Sequence, residues 1–152
     1  MAVRSFALAL LTALIVSCSR KPPDATPDGA LQEWLERMDA RVTDPHAESP
    51  YELLSKATHD KLQKRAERVS RIEGHRVEPE EILAEGRFAL RFRPRRFTTS
   101  TSGDVATIEV AGDDGAHATV RCVKEGTKND PRWRVDLALP DLADLPRRPD
   151  AP

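Results

Sequence analysis

Residues 106–122 read Ala106-Thr107-Ile108-Glu109-Val110-Ala111-Gly112-Asp113-Asp114-Gly115-Ala116-His117-Ala118-Thr119-Val120-Arg121-Cys122. Apolar side chains at 106, 108 and 110, and again at 118, 120 and 122, alternate with polar ones. Successive strand side chains point to opposite faces, so each run predicts a half-buried strand. Gly112 to Gly115 between them has the residues of a hairpin connection. Outward on one side, Phe88, Leu90 and Phe92 alternate with Ala89, Arg91 and Arg93. On the other, Trp133, Val135, Leu137 and Leu139 repeat the pattern. With turns at Thr98–Gly103 and Glu125–Pro131, four strands form an antiparallel meander with one face toward a layer of helices.

Those helices come earlier in the chain. From Gly29 to Val42, the residues Leu31, Trp34, Leu35, Met38 and Val42 follow the three-four spacing of one helix face. Asp28 is the expected cap, and Asp44-Pro45 stops the helix. Ser49-Pro50-Tyr51-Glu52 has the form of a capping box with proline at the first helical position. Leu53, Leu54 and Ala57 follow, then a row of Leu62, Ala66, Val69 and Ile72, with a break at Thr58 and an end at Gly74. Pro79–Glu85 adds a short helix closed by Gly86. The fold class is therefore α+β, with N-terminal helices packed on a curved antiparallel sheet.

The chain has 152 residues, with 24 basic and 25 acidic side chains. That near-neutral balance offers no general attraction to nucleic acid. The two ends differ from the middle. Ser19 to Asp28 contains Arg20, Lys21, Pro22, Pro23 and Pro27 without an apolar pattern, the composition of an extended tether. Asp141 to Pro152 is rich in proline and charge and reads as a disordered tail. At the very start, Arg4 is a positive n-region, Phe6 to Val16 an apolar h-region, and Ser17 a small residue before Cys18. Eleven helical residues span only about 16 Å, too little for ~30 Å of hydrocarbon.

Ile15-Val16-Ser17-Cys18 resembles a bacterial lipobox. The resemblance implies a signal peptide over 1–17, cleavage before Cys18, and attachment of acyl chains such as palmitate to Cys18. Two or three chains anchor a protein where one is marginal. Ser19, in place of the aspartate that marks inner-membrane retention, resembles the pattern of outer-membrane lipoproteins facing the periplasm. Helices followed by a curved sheet that ends on Trp133-Arg134-Val135-Asp136-Leu137-Ala138-Leu139-Pro140 resemble the nuclear transport factor 2-like superfamily. Its small lipoproteins carry a Tyr-x-Leu-Leu-Ser segment, here Tyr51 to Ser55. The resemblance covers 29–140, with 18–28 as lipidated cysteine and tether. It implies a cone enclosing a cavity, with Trp34, Met38, Tyr51 and Trp133 as lining candidates. For Trp34 and Met38 a plain core stripe is the competing reading.

Chemistry is sparse. His46, His59, His75 and His117 have no spacing suited to a metal, and Asp113-Asp114 belongs to a turn. No metal or cofactor is expected. With Cys18 lipidated, Cys122 has no disulfide partner, and its place in an alternating run predicts a buried, inert thiol. Ketosteroid isomerase-like members of the superfamily use a tyrosine with carboxylic acids inside the cone. Here the expected inward strand positions carry no Asp or Glu, so no catalytic residue is assigned. Arg87, Arg91, Arg93, Arg95 and Arg96 form a basic stripe, either a charged outer strand or a contact for acidic groups. The expectation is a non-enzymatic lipoprotein of the cell envelope that contacts another envelope protein. A small-molecule binding module is the alternative.

Overall fold

A computed structural model describes residues 21–84, 88 and 90–142. It is an α+β structure of three helices and one four-stranded antiparallel sheet. Helix α1 spans Pro27–Thr43, α2 Lys56–Glu73 and α3 Pro79–Ala84. Strands β1 (Pro94–Ser102), β2 (Val105–Gly112), β3 (His117–Thr127) and β4 (Asp130–Asp136) pair in sequence order as a meander. The quoted hairpin is present, with Ile108 opposite Val120 and Ala106 opposite Cys122. Its connection holds Asp114 at φ 59°, a left-handed conformation that aspartate tolerates.

Helix α1 crosses the inner face of the sheet and touches all four strands. Its buried stripe of Leu31, Trp34 and Met38 meets Ile108, Val110, Cys122 and Val135. Each large apolar side chain buried there contributes about 1.5–3 kcal/mol of transfer free energy. Helix α2 packs against α3, and the same core takes Leu62 from α2 and Leu83 from α3. Val42 and Ile72, expected in the apolar rows, are 83% and 71% exposed. Each sits in the last turn of its helix.

Several boundaries fall elsewhere than the sequence reading places them. The first strand is not Phe88–Arg93 but Pro94–Ser102, because this longer run fills the whole pairing edge of β2, from Gly112 to Val105. Phe88, Leu90 and Phe92 pack against the core from a segment outside the sheet. The expected turn at Thr98–Gly103 is mostly strand, and only Gly103-Asp104 turns the chain. Likewise Glu125–Pro131 continues the β3–β4 ladder, leaving Lys128-Asn129 as the loop. Strand β4 ends at Asp136, so Leu137 and Leu139 lie beyond it.

The capping box does not open a helix. Ser49 Oγ accepts from Tyr51 N at 3.2 Å, and Tyr51–Leu53 is a single 3-10 turn. Leu54 is then extended and bridges β4 at Val135 in parallel, reinforced by Ser55 N donating to Val135 O at 2.8 Å. Only after that bridge does α2 start, capped by Ser55, whose Oγ accepts from Thr58 N. The break is thus at Leu54-Ser55, not at Thr58. Gly74 ends α2 at φ 75°.

Helix α1 is capped by Thr26, not Asp28, since Pro27 fits the first helical position and pushes the cap back by two. Asp28 instead accepts from the Thr99 hydroxyl on β1. The expected tether is also partly folded: Pro23–Ala25 forms a 3-10 turn against α1 and β4. A Cβ on Gly29 would lie 2.1 Å from Pro23 O, so only glycine admits that approach. Folded structure is thus already present at Pro23–Ala25, inside the expected tether. At the other end, Asp141 pairs with Lys61 at 3.3 Å. The signal stretch, Cys18, Gly86, Arg87 and the tail from 143 lie outside the described residues.

Candidate functional site

Hollows open on the surface of the described residues. One, of about 440 Å³ between the end of α2 and the start of α3, is lined by Gln63, Glu67, Arg71, Arg76 and Glu78, with Val77 and Pro79 as its apolar part. Another, of about 330 Å³, runs between α1 and the segment leading into β1. Leu35 and Met38 line its α1 side, and Leu90, Phe92 and Pro94 line the opposite wall. Asp39, Arg91 and Arg93 complete the rim. An apolar floor with a few polar groups is the usual make-up of a small-ligand site.

Phe92 is seated by the backbone of Gly112, where a Cβ would meet its Cδ2 at 2.4 Å. The two ends of β2 and β1 thus fix the outer wall of this cleft. Arg95, next along, is held by Asp113 in a contact of 3.0 Å. Of the basic stripe, then, Arg95 is tied to the hairpin connection while Arg91 and Arg93 stand on the cleft.

The four lining candidates take different places. Trp34, Met38 and Trp133 belong to the core, and Tyr51 packs against it half-buried. Met38 also lines the cleft. Trp34 is 2% exposed and its Nε1 has no hydrogen-bond partner. Leaving that donor unmet costs about 1–3 kcal/mol. Burying a ring of ~150–250 Å² at about 25 cal/mol per Å² outweighs it. Trp133 is covered by Lys124, whose Nζ stands 5.9 Å from the ring centre.

Tyr51 stacks on His59 with ring centres 4.2 Å apart, and His59 Nε2 lies 2.7 Å from the Tyr51 carbonyl oxygen. Burial, then the negative charges of Glu80 and Asp60, push its hydroxyl above the ordinary phenol range. Cys122 is fully buried, and burial first, then Asp28 and Asp136, push its thiol up to about 12. At pH 8 only about one molecule in ten thousand carries the thiolate. Iodoacetamide is therefore expected to leave the Cys122 peptide unmodified in native protein and to label it fully in urea. Native labelling at the rate of a free thiol, read by peptide mass mapping, contradicts this burial.

Two carboxylate constellations escaped the sequence reading. Asp24, 9% exposed, is gripped by Arg132 Nη1 at 2.7 Å and Arg134 Nη1 at 2.5 Å. Burial alone would raise its pKa, but the hydrogen bonds and charges of Arg134 and Arg132 outweigh it and hold the carboxyl below the usual range. Asp136 lies on the non-core face of β4, as alternation predicts, yet it is not a solvated residue. Its Oδ1 accepts from Ser55 Oγ at 2.6 Å and Thr58 Oγ1 at 3.3 Å. Both constellations join distant segments and hold the fold.

Among the described residues, no group of three or more His, Cys, Asp and Glu is placed to hold a metal ion. Among them, too, no helix is long and apolar enough to cross a membrane. Comparison with protein-family models, curated proteins and solved structures gives no match.

Proposed function

We propose that this chain is a lipoprotein of the bacterial cell envelope, anchored through acyl chains on Cys18 and acting by contact instead of by reaction. In this reading the α+β domain, helices on one four-stranded antiparallel sheet, is of the nuclear transport factor 2-like kind, and its work is to present a surface to another envelope component. The observation that carries this reading is the ordered start of Arg4, the apolar Phe6–Val16, Ser17 and Cys18. Five steps of chain separate Cys18 from Pro23, a reach of at most about 18 Å. An anchor so close to a docked segment holds the β4 side of the domain near the lipid surface.

Several features support the reading. The Arg4, Phe6–Val16, Ser17, Cys18 order is that of an exported and lipidated start. The Tyr51–Ser55 segment does what a structural motif would do: Leu54 bridges β4 and Ser55 caps α2. The acidic groups with buried positions, Asp24 and Asp136, serve as structural acceptors, and the Cys122 thiol is held protonated. The cleft beside Met38 favours a second reading, a small-molecule binding module.

Cys18→Ala tests the anchor. The wild-type chain is expected in the membrane fraction of its host, with mass spectrometry showing a start at an acylated Cys18. The variant is expected to lose both the acyl chains and the cleavage before residue 18, so that only the uncleaved apolar stretch Phe6–Val16 is left to hold it. Wild-type protein with an unprocessed start, or with an unmodified Cys18, defeats the proposal. Crosslinking in intact cells then identifies the component the domain touches.

A further inference from the structure

The geometry points to the cleft between α1 and the segment before β1 as a site for a single-chain amphiphile: one aliphatic chain ending in an oxyanion. Leu35, Met38 and Phe92 supply the apolar floor, and Arg91 and Arg93 the cationic rim. A rim of this kind would be idle if its guanidinia were already paired. Arg95, two residues on, is paired with Asp113, but neither Arg91 nor Arg93 has a carboxylate partner among the described residues. Asp39 shares the rim and pairs with neither, which leaves one net positive charge over an apolar floor.

Size and shape restrict the occupant. At about 330 Å³ the cleft falls at the small end of the ~300–1,000 Å³ range of small-molecule sites. Among the described residues that line it, Asp39, Arg91 and Arg93 are the charged ones, and all the rest are apolar. Guanidinium forks match planar and tetrahedral oxyanions alike, so carboxylate and phosphate head groups share the chemistry. The Phe92 ring in this wall rests on the Gly112 backbone at the end of β2. The inference does not rest on lipidation of Cys18, and the test separates the two.

The experiment photolabels the full chain in whole host cells with dodecanoate bearing a diazirine near its chain end. Label is expected on the peptides containing Met38 and Phe92, and unlabelled dodecanoate is expected to displace it. Arg91→Ala combined with Arg93→Ala is expected to reduce labelling about tenfold while leaving the thermal midpoint unchanged, as both side chains are exposed. Leu35→Gln, which makes the floor polar, is expected to weaken labelling independently. Displacement by dodecyl phosphate as strong as by dodecanoate supports the shared oxyanion chemistry, and weaker displacement supports a fatty acid. Cys18→Ala is expected to label like wild type. Equal labelling by the diazirine derivative of dodecanol, label scattered over other peptides, or undiminished labelling of the double arginine variant overturns the inference.

Discussion

Asp136→Ala is expected to lower the unfolding free energy by about 3 kcal/mol, the loss produced when buried partners are left without their acceptor. Ser55 and Thr58 are buried, and both direct hydroxyls at Asp136 Oδ1. Thr58 Oγ1 also accepts from Leu137 N at 3.0 Å, so the same cluster fixes the chain as it leaves β4. The other oxygen, Oδ2, meets Arg121 Nη1 at 3.3 Å, but Arg121 is 57% exposed. Exposed pairs contribute only about 0–1 kcal/mol. The hydroxyl side should therefore carry the effect, and Arg121→Ala should cost less than about 1 kcal/mol. A double-mutant cycle between Ser55→Ala and Asp136→Ala, measured by urea unfolding, should give a non-additive pair. A loss under about 1 kcal/mol for Asp136→Ala would mean that Ser55 and Thr58 satisfy one another without the carboxylate.

The sequence announces what depends on neighbours within a few residues. Leu31, Trp34 and Met38 are legible because a helix brings every third or fourth side chain to one face. The 106–122 hairpin is legible because both runs and their turn are contiguous. Phe88, Leu90 and Phe92 mislead because alternation speaks of faces and says nothing of which chain supplies hydrogen bonds. Pro94–Ser102 outcompetes them by covering the length of β2. Ser49-Pro50-Tyr51-Glu52 misleads differently: a valid local start signal loses to the bridge between Leu54 and Val135. That bridge satisfies backbone groups which a continuous helix would have kept to itself. The cleft was half visible, as Met38 and as two arginines in a stripe, but only the fold puts them side by side. Asp24 gave no signal, because its partners are more than a hundred residues away. The one trace was Arg132 and Arg134, two apart on a strand and hence on one face, asking for an acid.

Asp24→Asn should be the other large loss, about 2 kcal/mol near neutral pH, less than for a fully buried pair because both arginines keep some contact with water. The sign with pH follows from the depressed carboxyl. A group whose folded pKa lies below its unfolded value stabilises the fold above the unfolded value, here 3.8, and loses that contribution as pH falls through the folded one. Wild type and variant should thus differ most above about pH 5 and converge in strong acid. The damage should also be local. Hydrogen exchange and proteolysis should rise at Pro23–Ala25 while the β2–β3 ladder stays protected. Gly29→Ala should produce the same local release by another route, since its Cβ would collide with Pro23 O. Freed from β4, the residues up to Thr26 would lengthen the link between Cys18 and the domain from five steps to about eight, nearly 30 Å when extended. If, as proposed, the chain is acylated at Cys18 and its domain acts at a fixed height over a membrane, both variants should weaken crosslinks to an envelope partner without reducing acylation. If those crosslinks survive while Pro23–Ala25 is released, the Asp24 lock stabilises the fold and has no part in positioning it.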